Sequence, residues 1–160
     1  MPIELPMLWI VTLNVVLWPV IQMALAWTFT RMPVSWFSPP ATPAFETAAF
    51  YGKFLLVKHW KSLLPDGAAW IGGAFAKREM KTTDPAYLQC FIAETWRGEL
   101  CHLSAFLFVP LFFLWNPWWG DCVIVAYALI ANLPCIIAQR YNRIRLRHLL
   151  TRLKNAKPNV

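Results

Sequence analysis

The sequence predicts an all-α integral membrane protein with three transmembrane helices, over about residues 7–29, 101–119 and 122–138, plus an amphipathic interfacial segment and a basic cytoplasmic tail. Three observations carry that prediction. Of the 160 residues, 58% are hydrophobic and only 14% are charged, whereas soluble domains are about a quarter charged. Mean hydropathy is +0.44, too apolar for an intrinsically disordered chain. The 15 Lys and Arg residues fall into two blocks, Arg31 to Arg97 and Arg140 to Lys157, with none in residues 1–30 or 98–139. Gaps in positive charge are where a bilayer belongs.

The first helix is the uncharged run from Met7 to Phe29, long enough at 1.5 Å per residue to cross a hydrocarbon core of about 30 Å. Pro19 lies inside it, a position that membrane helices tolerate. Ala24-Leu25-Ala26 resembles a signal-peptide cleavage site, but Glu4 and the lack of Lys or Arg before the apolar run oppose that reading. Pro33, Pro39, Pro40 and Pro43 follow in a loop that cannot be helical throughout. From Phe45 to Leu64, apolar residues interleave with Lys53, Lys58, His59 and Lys61, the composition of an amphipathic helix lying in the interface. Pro65-Asp66-Gly67 ends it as a turn.

A further helix starts at Thr83-Asp84-Pro85, with Thr83 or Asp84 as cap and Pro85 in the first turn, and continues into the second crossing. The uncharged arms 101–119 and 122–138 then form a hairpin turned at Asn116-Pro117-Trp118-Trp119-Gly120-Asp121, whose tryptophans suit a membrane interface. With both basic blocks cytoplasmic, the N-terminus lies outside and the C-terminus inside. The chain is thus one membrane domain over residues 1–160, with a cytoplasmic or interfacial segment at about 30–98 and a tail at about 140–160, in a multi-pass cell (inner) membrane protein. Cys90, Cys101, Cys122 and Cys135 show no C-x-x-C spacing and read as small buried apolar residues.

Chemistry concentrates where helices meet the bilayer, because ionisable groups there are costly. Glu94-Thr95-Trp96-Arg97-Gly98-Glu99-Leu100-Cys101-His102 places Glu99 with His102, and Glu94 with Arg97, at i,i+3. A carboxylate holding an imidazole is an orienter–base pair that can deprotonate a hydroxyl, so His102, Glu99 and Glu94 are the candidate catalytic residues. Arg140, Arg143 and Arg147 recur at i, i+3, i+7, a basic stripe suited to the phosphates of a lipid or a coenzyme-A thioester. Arg147, Arg152, Lys154 and Lys157 read instead as an anchor on anionic lipid. Pro134 implies a broken turn with Asn132 beside it. Substrate-binding candidates are Arg97, Asn132, Arg140, Asn142, Arg143, Arg145, Trp60, Lys61 and Asp66, with Asn132 and Asn142 as donors to an oxyanion. No bound cofactor or metal and no nucleic-acid partner are expected. The expected partners are membrane lipids, a lipid-like acceptor, an acyl-CoA or acyl-carrier thioester as donor, and a second copy of the chain.

Three motifs together, W-K-x-x-L-P-D-G at Trp60–Gly67, E-T-x-R-x-E-x-x-H at Glu94–His102 and A-N-x-P-x-x-x-x-Q-R-Y-N-R-x-R-L at Ala131–Leu146, resemble the glycosyl-4,4'-diaponeurosporenoate acyltransferases. Ile144 stands where that pattern has proline. The resemblance implies a membrane enzyme that esterifies a sugar hydroxyl of a glycosylated carotenoid acid with a fatty acyl chain, the last step of staphyloxanthin-type carotenoid synthesis. Two other classes fit the residues alone. One is a non-catalytic lipid-binding or complex-organising membrane protein. The other is an intramembrane hydrolase using glutamate-activated water with His102, which requires Glu94 and Glu99 to face a water-filled cavity.

Overall fold

The computed structural model describes residues 2–64 and 80–156, and among these the regular structure is entirely helical. Five α-helical segments follow in order: α1 Met7–Arg31, α2 Val57–Trp60, α3 Pro85–Ala105, α4 Val109–Phe112 and α5 Trp118–Ala156. Pro65, Asp66 and Gly67, and with them the Asp66 candidate, lie outside the described residues.

Two helices, α1 and α5, are long and apolar enough to span a membrane. Both are continuous through their prolines, Pro19 and Pro134, so the broken turn expected at Pro134 is absent. The predicted tail is not a separate element either. No helix breaker follows Pro134 before Ala156, and Leu- and Arg-rich sequence favours helix, so α5 continues for 39 residues, about 58 Å at 1.5 Å per residue.

The predicted 101–119 crossing is interrupted. Helix α3 gives way at Phe106–Phe108 to a 3-10 turn, and the short α4 ends at Phe112. The cause is Pro110, which has no N–H for the carbonyl of Phe106 and forces the tighter turn. Three apolar segments still meet at this end. Ile10, Trp18 and Ile21 of α1 pack with Val109, Phe112 and Trp115 and with Ile124 and Ala128 of α5. The faces turned away from this seam carry Leu8, Val15 and Ile130, each at least 67% exposed, a surface suited to lipid rather than water.

The 112–121 turn is tied to α1 by Asn14, whose Oδ1 accepts from Trp115 Nε1 at 2.9 Å and from Asn116 Nδ2 at 3.1 Å. A Cβ on Gly120 would sit 3.0 Å from Asn116 Oδ1, so a larger residue there would have to push the Asn116 side chain aside. At the other end, Asp84 caps α3 as expected, its carboxylate accepting from the backbone N–H groups of Ala86 and Tyr87.

Residues 45–64 do not form the single amphipathic helix predicted. A π-helical turn at Phe50–Phe54, α2, and a 3-10 turn at Lys61–Leu63 replace it. Leu56 breaks the helix with φ of 50°, a left-handed conformation that cannot propagate. The segment is also tied in rather than surface-bound, since Tyr51 and Val57 bury against Tyr141 and Ile144 of α5. The cysteines are less enclosed than expected: Cys122 is exposed, and Cys90, Cys101 and Cys135 are half-buried.

Candidate active site

The polar groups of the helical seam fall at three successive levels along α5. Nearest the hairpin is Asn132, fully buried, whose Nδ2 donates to the carbonyl of Ala128 at 2.9 Å. A backbone carbonyl can only accept, so that contact fixes which end of the Asn132 amide carries hydrogens. Oδ1 therefore points the other way, where it accepts from Gln22 Nε2 at 2.9 Å and lies 3.0 Å from His102 Nδ1. The imidazole Nδ1 must carry the hydrogen, which leaves the lone pair of the neutral ring on Nε2.

About two to three turns further along is the charge cluster. Glu99 is fully buried; its Oε1 accepts from Arg140 Nε at 2.6 Å, and its Oε2 is 2.6 Å from Arg143 in an ion pair. Arg140 reaches on to Glu46 at 3.1 Å. Glu46 in turn faces Tyr51, whose phenol burial and that carboxylate together push above the usual tyrosine range. The Arg143 guanidinium lies 5.2 Å over the Trp96 ring. A buried carboxylate this enclosed is tolerable only because two guanidinium groups neutralise it. Separately, the expected Glu94–Arg97 pair forms at 2.7 Å, and Arg97 also donates to the carbonyl of Met32, clipping the end of α1 to α3.

The third level is cationic. Lys61 donates to Asn142 Oδ1 at 3.2 Å and lies over the Tyr141 ring, as does Arg145. Lys61, Asn142, Arg145 and Arg152 border a cavity of about 610 Å³. Burial first, and Arg145 second, hold the Lys61 ammonium below the ordinary lysine range. A different cavity, of about 420 Å³, is almost wholly apolar: Leu103, Phe106, Leu133 and Ile136 line it, with Tyr51 and Arg140 at one end.

Several expectations from sequence are corrected by this geometry. The hydrogen bond at His102 Nδ1 goes to Asn132, while Glu99 serves the arginines, because the side chain one turn before His102 points toward Arg140 and Arg143 instead. Asn132 turns its oxygen, not its N–H, toward His102, so it is not an oxyanion donor there. Asn142 is ten residues further along α5, about 15 Å, and bonds Lys61. The Arg140–Arg143–Arg147 stripe is spent inside the protein. Arg147 bonds Thr42 Oγ1 at 2.6 Å and the carbonyls of Pro39 and Pro40, so it fastens the proline loop rather than contacting anionic lipid. Trp60 likewise donates to the carbonyl of Leu55. Glu94 and Glu99 are buried and ion-paired, the opposite of the wet carboxylates that the hydrolase reading needs.

Gln22, Glu46, Tyr51 and Trp96 belong to the site but were not singled out from sequence. Gln22 was the one discoverable from sequence alone, as one of two amides, with Asn14, inside an uncharged membrane run.

The glycosyl-4,4'-diaponeurosporenoate acyltransferase family model matches residues 33–152. Among similar proteins are the glycosyl-4,4'-diaponeurosporenoate acyltransferases of Staphylococcus aureus strains Newman and COL, each 34% identical over 142 residues that cover 86% of this chain and 86% of the relative. No solved structure matches. The matched region takes in Glu46, Tyr51, Glu99, His102, Asn132 and Arg140, and it begins after α1 and Gln22.

Proposed function

The chain belongs to the glycosyl-4,4'-diaponeurosporenoate acyltransferase family, and from that premise we propose that it moves a fatty acyl chain from a thioester donor to a hydroxyl of a membrane-bound acceptor. The acceptor named for the relatives, a glycosyl diaponeurosporenoate, is the first candidate, its sugar supplying the hydroxyl. The observation that carries the mechanism is the 3.0 Å contact of His102 Nδ1 with Asn132 Oδ1.

With Nδ1–H held by Asn132, Nε2 is the base. It takes the proton of the acceptor hydroxyl as that oxygen attacks the thioester carbonyl carbon. The tetrahedral intermediate collapses with cleavage of the C–S bond, and the imidazolium returns the proton to the departing sulfur. Asn132 and Gln22 hold the ring through both steps, a role that an uncharged amide fills in cysteine–histidine–asparagine sites. The 420 Å³ apolar cavity houses the acyl chain. Leu103 and Leu133, the sequence neighbours of His102 and Asn132, are among its lining residues, and its apolar walls with one polar end match an acyl chain and its head.

Depth supports the same reading. Taking Trp118 and Trp119 as the outer interface, Asn132 lies about 21 Å along α5 and Arg140 about 33 Å, so His102 works inside the hydrocarbon while the ion cluster marks the cytoplasmic boundary. In this topology the N-terminus is outside, the α3–α4 segment makes the outward crossing, and the end of α5 is cytoplasmic.

The test is mass spectrometry of lipid extracts from cells expressing the wild type or His102→Ala at equal membrane abundance. An acylated glycolipid that disappears only in the variant supports the proposal and identifies the acceptor. Identical profiles contradict it.

A further inference from the structure

Of the six Lys and Arg among the described residues of α5, Arg140, Arg143 and Arg147 have acidic partners or carbonyls. Arg140 and Arg143 share Glu99 and Glu46, and Arg147 holds two carbonyls. Lys61, Arg145 and Arg152 instead border one cavity of about 610 Å³ in which, among the described residues, no Asp or Glu appears.

Lys61 and Arg145 are drawn to the same ring, with their charged groups 5.3 Å and 5.6 Å from the centre of Tyr141. A ring face attracts a cation by only about 0.5–2 kcal/mol, and two like charges on one ring oppose each other. Burial first, and the facing Arg145 second, hold the Lys61 ammonium below the ordinary lysine range. The floor of the cavity includes Phe91, Leu146 and Leu149, so a charge there is less screened than on an open surface. Among the described residues, the site thus carries concentrated positive charge with no carboxylate to balance it.

We propose that this cavity binds a phosphate ester. Ammonium, guanidinium and the N–H₂ of Asn142, whose oxygen is turned to Lys61, give donors of three kinds from two elements. They suit a tetrahedral oxyanion, whereas one guanidinium alone satisfies a planar carboxylate. The volume exceeds an inorganic ion and leaves room for the esterified group. Arg145 lies about 40 Å along α5 from Trp118, at the level of lipid headgroups and cytoplasm. Both a glycerophospholipid headgroup and a soluble coenzyme-A thioester present phosphate there. The site is separate from the His102 chemistry and does not depend on the acyl-transfer proposal.

The experiment uses the full chain in detergent. Retention of phosphatidylglycerol against phosphatidylcholine is counted by native mass spectrometry, and binding of coenzyme A is measured by calorimetry. Lys61→Gln and Arg145→Gln should each weaken binding about fivefold, the effect of one cation near an anionic surface. Lys61→Arg should retain it, and Arg31→Met, which removes an exposed cation at the end of α1, should leave it unchanged. Preference for phosphatidylglycerol that the two Gln variants erase identifies a headgroup site. Coenzyme-A binding erased by the same variants identifies a soluble phosphate ester. If the wild type prefers neither phosphatidylglycerol nor coenzyme A, or if the Gln variants bind as it does while still folded, the proposal is overturned. Loss of acyl transfer in His102→Ala bears on the other proposal and leaves this one standing.

Discussion

Two cation clusters sit within one helical turn of each other on α5 and teach opposite lessons. Arg140 and Arg143 are locked on Glu99, whose side chain has no exposure, and their charges are consumed in joining α5 to α3 and the Glu46 loop. Arg145, two residues beyond Arg143, stands with Lys61 around Tyr141 and borders an open cavity. Equal residues in neighbouring positions thus become structural or receptive according to where the chain places its few acids. The motif arginines that look most like ligand binders in the sequence are the ones the fold has already neutralised.

Breaking the first cluster has the largest expected effect on stability. Glu99→Gln leaves Arg143 buried without a carboxylate, and removal of one partner from a buried pair costs about 3–5 kcal/mol; denaturation of the detergent-solubilised protein measures it. Arg97→Ala removes the Glu94 pair and the bond to Met32 O, for a loss of about 1–3 kcal/mol by the same assay. In contrast, Arg145→Gln should change stability within about 0.5 kcal/mol, because it relieves a like-charge contact while ending one cation–π contact. A loss as large as that of Glu99→Gln would erase the distinction between the clusters.

The smallest effect is a pH dependence. The Lys61 pKa in the folded protein is below its unfolded value, so the unfolded chain binds more protons between the two. With the cavity empty, stability should therefore rise as pH climbs from the lowered value toward the ordinary lysine range. Phosphate affinity should fall over the same window, as the ammonium that faces Arg145, Tyr141 and Asn142 is lost. Melting curves of wild type against Lys61→Gln check both, since the variant should show neither trend.

Local signals in the sequence survived into the structure. The uncharged run of α1, the Asp84–Pro85 start of α3 and the i,i+3 spacing of Glu94 and Arg97 each rest on neighbouring residues, and each formed. Failures arose where a distant group decided the outcome. Glu99 was close enough in sequence to hold His102, but arginines 41 and 44 positions away took its charge, and Asn132 took the ring. The 45–64 segment had amphipathic composition, yet Tyr51 and Val57 found a better surface on α5 than the interface offered. Pro110 was visible, but its cost to an otherwise apolar crossing appeared only in the 3-10 turn before it. The polar seam depends on Gln22, Asn14 and Asn132, amides in apolar runs whose partners are set only when the helices bring them together.

The central claim is that chemistry belongs to the His102–Asn132 level and not to the glutamate–arginine cluster one turn away. Acyl transfer per folded molecule, compared between His102→Ala and Glu99→Gln, tests it most directly. His102→Ala should fold as the wild type does and lose about 10²–10⁴-fold in turnover, whereas the folded fraction of Glu99→Gln should retain turnover within a few-fold. Wild-type turnover by His102→Ala, or a Glu99→Gln protein that is folded yet inert, would contradict it.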